Sequence, residues 1–205
     1  MIAPPERSPE RDAAIDALLP NVPFDGWTYR ALRRGLDSIG VAPDEAELLF
    51  PGGAADMIEA YCDLADRRME TAAATRDWGE MRLPARVRAI IVLRLEQNRP
   101  SRETVRRAVA LLALPRNAQL AARCTARTVD AIWHAAGDRS ADFSWYTKRA
   151  ILTAVYGGTL LFWLRDGSEA DAATLAFLDR RLAAVGRIGR LRRRAAGMLG
   201  RFRPA

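Results

Sequence analysis

The stretch AGDRSADFSWYTKRAILTAVYGGTLLFWLRD, residues 136–166, decides the fold of this chain. Its second part, residues 150–164, runs for fifteen residues without a charge, and a membrane-spanning helix needs ~20 residues. Because the run is apolar on almost every side, it predicts a helix that is buried on several faces or packed against a second copy. The first part sets polar residues between Phe143, Trp145 and Tyr146, a composition typical of recognition surfaces. A recognition surface joined to a buried helix indicates a binding protein more than a catalyst.

On either side of this stretch, apolar residues recur at helical spacing, with Pro or Gly near the ends of the segments. Ser101 and Ser168 are predicted to cap the helices that follow them. Alternation of apolar and polar residues, which would indicate strands, is not evident in the sequence. The predicted fold class is therefore all-α, with about nine helices and a further helix at the C-terminus. The nine span residues 10–19, 26–39, 44–50, 54–74, 83–98, 102–113, 117–136, 145–164 and 169–185.

The length and order of these segments predict one domain. A chain of 205 residues fits the usual domain size of about 50–250 residues. Three short helices precede a long one, which is typical of a helix-turn-helix-like head. We expect a disordered N-terminus at residues 1–9, the head at 10–52, a helical body at 53–185 and a basic amphipathic helix at 186–205.

The net charge of +7 is concentrated at one end of the chain. Residues 186–205 contain seven arginines and no acidic residue, so residues 1–185 carry 25 basic and 25 acidic groups. A basic body that wraps nucleic acid would spread its charge over a whole face. The charge therefore marks the C-terminal segment and not the body as a candidate for binding a polyanion or an anionic surface.

The third predicted helix bears on DNA binding, because in a repressor this helix enters the major groove. It carries Asp44, Glu45 and Glu47 and no basic residue. Three carboxylates facing phosphates would repel them, and no cation is available there to release counterions. We therefore expect the head to be structural. Three arginines of the preceding helix offset the acidic charge in part: Arg30, Arg33 and Arg34.

Residues 186–205 form a basic amphipathic pattern at 100° per residue. Such a helix lies in a bilayer interface. Each arginine contributes up to ~1 kcal/mol to binding at an anionic surface. Together with burial of the apolar face, the binding free energy totals about 8 kcal/mol, which corresponds to micromolar affinity. The alternatives are an ordinary last helix packed on the body, or binding to nucleic acid or an acidic partner. The predicted membrane contacts are Ile188, Leu191, Met198, Leu199 and Phe202 on the apolar side, with Arg187, Arg190 and Arg194 beside them.

Residues suited to catalysis are scarce. One histidine, His134, excludes the paired Glu-x-x-His motifs of a di-iron site and the zinc motif HExxH; we expect it to cap or pack near the end of its helix. Cys62 and Cys124 lack metal-site spacing and are predicted to be buried free thiols in a reducing compartment. The acidic residues among the first sixteen do not suit a transit or signal peptide. The chain is predicted to be no enzyme, with no metal and no cofactor.

The string GDRSADFSWYTKRA at residues 137–150, followed by AVYGGT at 154–159 and FLDRRL at 177–182, resembles a known family signature. It is similar to that of the ubiquinone-biosynthesis accessory proteins of the coenzyme Q "nine" family, lipid-binding relatives of the TetR repressors. The similarity is clearest over residues 132–182 and extends weakly back to about residue 18. The resemblance implies a TetR-like helical bundle. It also implies a non-enzymatic protein that binds isoprenoid quinone precursors at the membrane and presents them to demethoxyubiquinone hydroxylase.

Two other functions stay open: a TetR-type transcription regulator with an apolar ligand, and an enzyme that acts on the lipid itself. The resemblance further implies a homodimer, formed by residues 145–164 and 171–185 of each copy. We expect the protein in the cytoplasm, peripheral to a bacterial inner membrane. Two departures from the family pattern are Ser144, where relatives often have Asn, and the pair Gly157–Gly158, which replaces bulkier residues.

The resemblance places a partner-binding surface around the DFxWYT motif, although Trp145 and Tyr146 could instead be core residues. Several predicted helices also have apolar arcs wider than one core contact needs, which suits either a dense core or a lipid cavity; the resemblance favours the cavity. The predicted partner contacts are Asp142, Trp145, Tyr146, Arg149, Ile132 and Trp133. The predicted lipid contacts are Met57, Tyr61, Ile91, Leu95, Leu112, Val129, Leu160 and Trp163.

Overall fold

A computed structural model of the protein describes the backbone of residues 4–138 and 144–200, and the side chains of residues 4–138 and 146–187. Within these ranges the chain is helical and contains no strand, so the all-α prediction is confirmed. The helices are α1 (Pro9–Leu18), α2 (Val22–Asp25), α3 (Tyr29–Ser38), α4 (Ala46–Leu49), α5 (Gly53–Ala74), α6 (Leu83–Asn98), α7 (Arg102–Leu112), α8 (Ala118–Ala135), α9 (Ser144–Trp163) and α10 (Ala172–Gly200). Short 3-10 turns precede α2, α4, α7, α8 and α10.

Helices α1 to α4 form the head. The hydroxyl of Ser8 accepts a hydrogen bond from the backbone of Arg11 at 3.1 Å and so caps α1. Arg7 donates two hydrogen bonds to Asp63 on α5, at 2.6 and 2.8 Å. The expectation of a disordered N-terminus up to residue 9 is therefore wrong for Arg7 and Ser8, because ionic contacts to α5 and a helix cap order them. Helices α1 and α3 cross closely at Gly35, where an added Cβ would lie 2.5 Å from the carbonyl oxygen of Ala17.

One hydrophobic core runs from the head into the body. In the head it contains Ile15, Leu18 and Leu32, all fully buried. In the body α5 packs along α8, and Met57 of α5 and Ile132 of α8 are fully buried in the same cluster. Full burial of one large apolar side chain stabilises the fold by about 1.5–3 kcal/mol. The head is thus held to the body by a shared core and not by a linker.

The helix α10 differs most from the sequence-based expectation. It runs without interruption from Ala172 to Gly200, so the predicted boundary between residues 185 and 186 lies inside a single helix. Glycines at 186, 189, 197 and 200 lower helix propensity, but unlike proline they keep the backbone N–H and do not clash with the preceding turn. Arg187 is exposed. The other predicted membrane contacts have side chains outside the described residues, namely Ile188, Arg190, Leu191, Arg194, Met198, Leu199 and Phe202.

The two predicted serine caps have different outcomes. Ser168 accepts a hydrogen bond from the backbone of Ala173 at 3.0 Å, beside Asp166, which accepts from the backbone and hydroxyl of Thr174 at 2.8 and 2.5 Å. The start of α10 is therefore capped by two side chains. Ser101 occupies the N-cap position of α7 but its side chain makes no capping hydrogen bond, so that prediction is wrong. The 3-10 turn at Arg99–Ser101 leads directly into α7 and gives Ser101 φ −112° and ψ 27° instead of extended geometry.

Among the residues that the structure describes, no helix combines the length and the hydropathy that crossing a membrane requires.

Candidate functional site

The first turns of α9 are tied to the end of α8 by ion pairs. Arg149 donates to the carboxylate of Asp130, and the ammonium of Lys148 lies 3.3 Å from Asp138. Lys148 also lies 5.8 Å from the ring centroid of Trp133, within the range of a cation–π contact. These contacts fix the direction in which α9 leaves α8, and with it the position of the motif residues.

The predicted partner-binding residues divide by exposure. Tyr146, in the first turn of α9, is 72% exposed. Arg149 and Trp133 are half-buried. Ile132 is fully buried and supports this surface from the core without reaching it. Asp142 and the side chain of Trp145 lie outside the described residues.

The predicted lipid-binding residues lie in or against the hydrophobic core. Six are buried, and Leu112 and Leu160 pack at its margin. A lipid seated between these helices would have to displace core side chains. The buried six are Met57, Tyr61, Ile91, Leu95, Val129 and Trp163.

An apolar groove lies between α9 and α10, with a volume of about 560 Å³. Its floor is formed by Phe162 and Phe177, whose rings stack with their centroids 4.7 Å apart. Leu161 at its edge is 56% exposed. The guanidinium of Arg181 lies 4.9 Å from the ring centroid of Phe177, and Arg165 lines the groove. We call this cavity the α9–α10 groove; apolar surface with a polar rim is typical of a site for a partner or an amphiphile. The residues that line it are Gly158, Leu161, Phe162, Arg165, Asp166, Gly167 and Phe177.

Sequence reasoning missed this groove as a ligand site. It named the two helices as a dimer face, but Phe162 and Phe177 are fifteen positions apart in the sequence, and only the packing of α9 on α10 brings their rings together. The signal that was present is Gly158. An added Cβ there would lie 3.9 Å from the ring of Phe177, so a larger side chain would begin to fill the groove.

A second cavity, of about 540 Å³, has charged walls from α5, α8 and α9 and from Arg7, which precedes α1. His134 lies at its rim, where its Nδ1 is 2.9 Å from Glu70. The expectation that His134 caps or packs at its helix end is wrong, because its side chain is exposed and pairs with a carboxylate of α5. In the described part of the chain, no three His, Cys, Asp or Glu side chains are placed to share a metal ion.

Behind this charged cavity lies a buried polar cluster. The carboxylate of Asp66 accepts hydrogen bonds from Arg94 Nε at 3.2 Å and from the hydroxyl of Thr128 at 2.8 Å. Asn98 Oδ1 accepts from Arg94 at 2.8 Å and from the hydroxyl of Tyr61 at 3.1 Å. Burial raises the pKa of Asp66 to about 6, against the opposing effect of Arg94 and Thr128. The cluster joins α5, α6 and α8 through buried polar groups, which are costly to leave unpaired.

The arginines of the head are already engaged by carboxylates. Arg33 pairs with Glu47, and Asp25 pairs with Arg34 at 2.6 Å and with Arg30 at 3.3 Å. Asp44 and Glu45 are exposed on the same part of the head. Few of its cations can therefore approach a phosphate without breaking an ion pair, which disfavours DNA binding.

Comparison with known proteins places these helices in a family. The profile of the COQ9 family matches residues 118–189, which include α8, α9 and the first part of α10. The ubiquinone biosynthesis protein COQ9-A, mitochondrial, of Xenopus laevis is 32% identical over 181 residues, covering 85% of this chain and 57% of that protein. COQ9 of Homo sapiens is 31% identical over 175 residues, covering 82% and 55%. For coq9 of Schizosaccharomyces pombe the values are 32% over 168 residues, 82% and 66%.

The fold has a solved counterpart. A TetR transcriptional regulator from Nitrosomonas europaea superposes with a TM-score of 0.69 at 25% identity, covering 86% of this chain and 98% of that one. The TetR-like fold is thus confirmed. This superposition supports the shared fold alone.

The comparisons also correct one expectation and settle another. The relatives are named mitochondrial proteins, which contradicts the expected location in the cytoplasm beside a bacterial inner membrane. That expectation rested on the acidic composition of the first sixteen residues, which is no measure of compartment. The chain spans little more than half the length of the frog and human proteins. With the profile match across α8 to α10 and about 30% identity over most of its length, the chain belongs to the COQ9 family.

Proposed function

We propose that this protein is a non-enzymatic accessory protein of ubiquinone biosynthesis that binds an isoprenoid quinone-type lipid and presents it to demethoxyubiquinone hydroxylase. The observation that carries the proposal is the arrangement along α9. Its first turn holds the exposed Tyr146, its last turns hold the α9–α10 groove, and α10 continues from the groove into the arginine-rich segment. One helix thus links a candidate partner surface, a candidate lipid surface and a candidate membrane contact.

Presentation by a protein suits the physical chemistry of the substrate. A polyisoprenoid quinone is buried in the bilayer, and each CH₂ group transferred to water costs about 0.8 kcal/mol. An apolar surface beside the membrane offsets this cost while the ring moves toward the hydroxylase. The groove supplies such a surface through Leu161, Phe162 and Phe177, and Arg165 and Arg181 can meet polar atoms of a head group. A lipid among the core helices would in addition displace side chains such as Met57 and Ile91.

The same face supports the proposed homodimer. Ile151 and Leu161 are exposed apolar residues on α9, ten positions apart. A second copy seated on α9 and α10 would cover both side chains and roof the groove, because a two-fold interface pairs the same surface on both copies. The substitution Leu161→Arg is then expected to yield monomers, detected by light scattering after size-exclusion chromatography. Unchanged dimer content in this variant would argue against the α9–α10 face.

Lipid binding is tested by native mass spectrometry combined with solvent extraction. We expect the purified full chain to retain an isoprenoid quinone-type lipid, and Leu161→Asp to retain less because a carboxylate enters the groove. Leu48→Asp is the matched control, since Leu48 is 81% exposed on the head, away from α9. The absence of any bound lipid from the unsubstituted protein, together with no uptake of added quinone, would end the lipid proposal.

Partner binding is tested at Tyr146. Replacing an exposed aromatic residue at an interface with Lys removes about 2 kcal/mol or more where it is a hot spot, which is roughly 30-fold in affinity. We expect Tyr146→Lys to weaken association with the hydroxylase by this factor in a surface-binding assay, with Leu48→Lys unchanged. The fold is expected to survive, because Tyr146 is 72% exposed. Equal affinity of the two variants would remove Tyr146 from the interface.

A transcription regulator is the second candidate, favoured by the superposition on a TetR regulator. Its head opposes the assignment, since Arg30, Arg33 and Arg34 are ion-paired. We expect no salt-sensitive binding to genomic DNA fragments in a gel-shift assay at low salt. Because the basic segment of α10 could bind DNA without specificity, the assay uses the chain with and without residues 186–205. Sequence-selective binding by the shortened chain would favour the regulator.

A further inference from the structure

The α9–α10 groove has an apolar floor that ends in a guanidinium on the α9 side. Gly158, Leu161 and Phe162 lie on one face of α9, because they follow the i, i+3, i+4 spacing of a helix. Arg165 comes next in this series, just after the helix, where its backbone N–H donates to the carbonyl of Phe162 at 3.0 Å. Its exposed side chain lines the groove. The α9 side of the groove therefore combines apolar surface with one cation.

The α10 side of the groove repeats this combination. Phe177 stacks on Phe162, and Arg181 follows Phe177 by four residues, so that it lies on the same face of α10. The guanidinium of Arg181 lies 4.9 Å from the ring centroid of Phe177. A guanidinium packed on a ring keeps its N–H donors directed outward at its edges, where an anion can accept from them. Arg165 and Arg181 thus lie beside the two stacked rings, one just after α9 and one on α10.

In the part of the chain that the structure describes, neither of these two arginines pairs with a carboxylate. Other arginines of the body do, as Arg88 pairs with Asp179. Among the described residues, the carboxylate that lines the groove is Asp166, and both of its oxygens are engaged. One accepts from the backbone of Ser168 at 2.8 Å, and the other accepts from the backbone and hydroxyl of Thr174 at 2.8 and 2.5 Å. The charge of this carboxylate is therefore directed to the start of α10, and the rim of the groove keeps two cations that can meet an anion.

We propose that the α9–α10 groove binds a single-chain amphiphile whose head group is an anion, either a carboxylate or a phosphate ester. Its apolar chain lies on Phe162 and Phe177, and its head group is held by Arg165 and Arg181. The groove volume of about 560 Å³ falls within the ~300–1,000 Å³ that is usual for small-molecule sites. A neutral lipid would cover the rings but leave both guanidiniums without a counter-charge. This inference rests on the proposed function, since it takes the groove as the lipid surface and adds the chemistry of the head group.

The experiment titrates the purified full chain by calorimetry with dodecanoate and with dodecanol, which have the same chain length. At about pH 8 the carboxyl group is ionised, and both probes are kept below the concentration at which they aggregate. We expect dodecanoate to bind about tenfold more tightly, as two partly exposed ion contacts predict. The double variant Arg165→Gln/Arg181→Gln should bind both probes equally. Arg116→Gln/Arg180→Gln is the matched control, because it removes the same charge from two exposed arginines that do not line the groove, and it should keep the preference.

A further variant tests whether the apolar chain lies in the groove. Gly158→Leu should weaken the binding of both probes alike, because its side chain begins to fill the groove. The fold is expected to survive, since the atoms nearest to an added Cβ lie 3.9 Å away on the ring of Phe177. Unchanged affinity for both probes in Gly158→Leu would place them elsewhere on the molecule and would overturn the proposal.

Two other results would also overturn it: equal affinity of the unsubstituted chain for the two probes, and a preference for dodecanoate that survives in Arg165→Gln/Arg181→Gln. If the unsubstituted chain still retains a quinone-type lipid in native mass spectrometry, either result removes the anionic head group and leaves the proposed function standing. The proposed function and this inference would fail together only if the chain retained no lipid and bound neither probe.

Discussion

At the scale of single residues, Asp63 and Asp66 show how position on one helix decides the behaviour of a carboxylate. Both lie on α5, three positions apart. Burial raises the pKa of Asp66 to about 6. Burial also raises the pKa of Asp63, but hydrogen bonds from Arg7 and Arg67 outweigh it and leave that pKa below its usual value. The two groups should therefore contribute to stability with opposite pH dependence.

The prediction for Asp66 concerns how the free energy of unfolding changes between about pH 4 and pH 6. Its folded pKa of about 6 exceeds the unfolded value of about 3.9, so the folded state holds the proton longer, and the free energy of unfolding falls as pH rises through this window. Asp66→Asn should remove this fall. For Asp63, whose folded pKa is lowered, the contribution is present above pH ~4 and is lost below it. Urea denaturation at a series of pH values measures both slopes; a slope for Asp66→Asn equal to that of the unsubstituted chain would be the contrary result.

A second prediction at this scale concerns Gly35, where α1 and α3 cross. A Cβ at Gly35 would lie 2.5 Å from the carbonyl oxygen of Ala17, and backbone cannot rotate away as a side chain can. We expect Gly35→Ala to destabilise the protein by about 2 kcal/mol, a typical cost of overpacking. Gly157→Ala in α9 is the matched control. Apart from the adjacent backbone of α9, no atom of the described residues lies within 4 Å of its added Cβ, so it should gain about 0.5–1 kcal/mol from helix propensity. Urea midpoints compare the two.

At the scale of elements, the start of α10 depends on Asp166. Hydrogen bonds from Thr174 and Ser168 lower the pKa of Asp166, so its carboxylate is charged at neutral pH and complements the helix N-terminus. Asp166→Ala should destabilise the protein by about 1–2 kcal/mol, as loss of an N-cap does. Asp179→Ala, which removes only the exposed ion pair with Arg88, should cost less than about 1 kcal/mol. Thermal unfolding distinguishes them, and equal effects would refute the capping assignment.

The length of α10 is also explained by the properties of the helix as an element. Its first part packs on the core through Leu178, Leu182 and Val185, and the same helix then continues to Gly200. Helix formation is cooperative, so an existing, packed helix extends at far smaller cost than a separate one nucleates. This explains why a segment with four glycines is helical in continuation of the body.

At the scale of the whole molecule, the separation of charge leads to the prediction for the C-terminal segment. Residues 186–205 carry the excess positive charge, and Val185 is the last residue of α10 that packs on the core among those whose side chains the structure describes. Removing residues 186–205 should leave the melting temperature within about 2 °C and abolish binding to vesicles with anionic lipid. Neutral vesicles and high salt are the controls, because the attraction is electrostatic. Undiminished co-sedimentation of the shortened chain would show that the body itself binds membranes.

What the sequence determined by itself is most of the helices and the family, although it missed α2 and divided α10 into two helices. The span predicted for residues 83–98 agrees with α6, and most other predicted helices agree with the structure to within a few residues, since helical spacing and Pro or Gly at segment ends are local properties. The motif around residues 137–150 identified the family, because a motif is also a local property of the sequence. The arginines of residues 186–205 likewise gave the distribution of charge.

The tertiary structure alone decided which residues meet. The partners of Asp66 and the stacked rings of Phe162 and Phe177 join helices across 15 to 62 positions of the chain. Periodicity assigns a side chain to the apolar face of its helix, but it does not say whether that face meets the core, a groove or solvent. That outcome depends on how helices cross, and the crossing follows from the packing of all their side chains together.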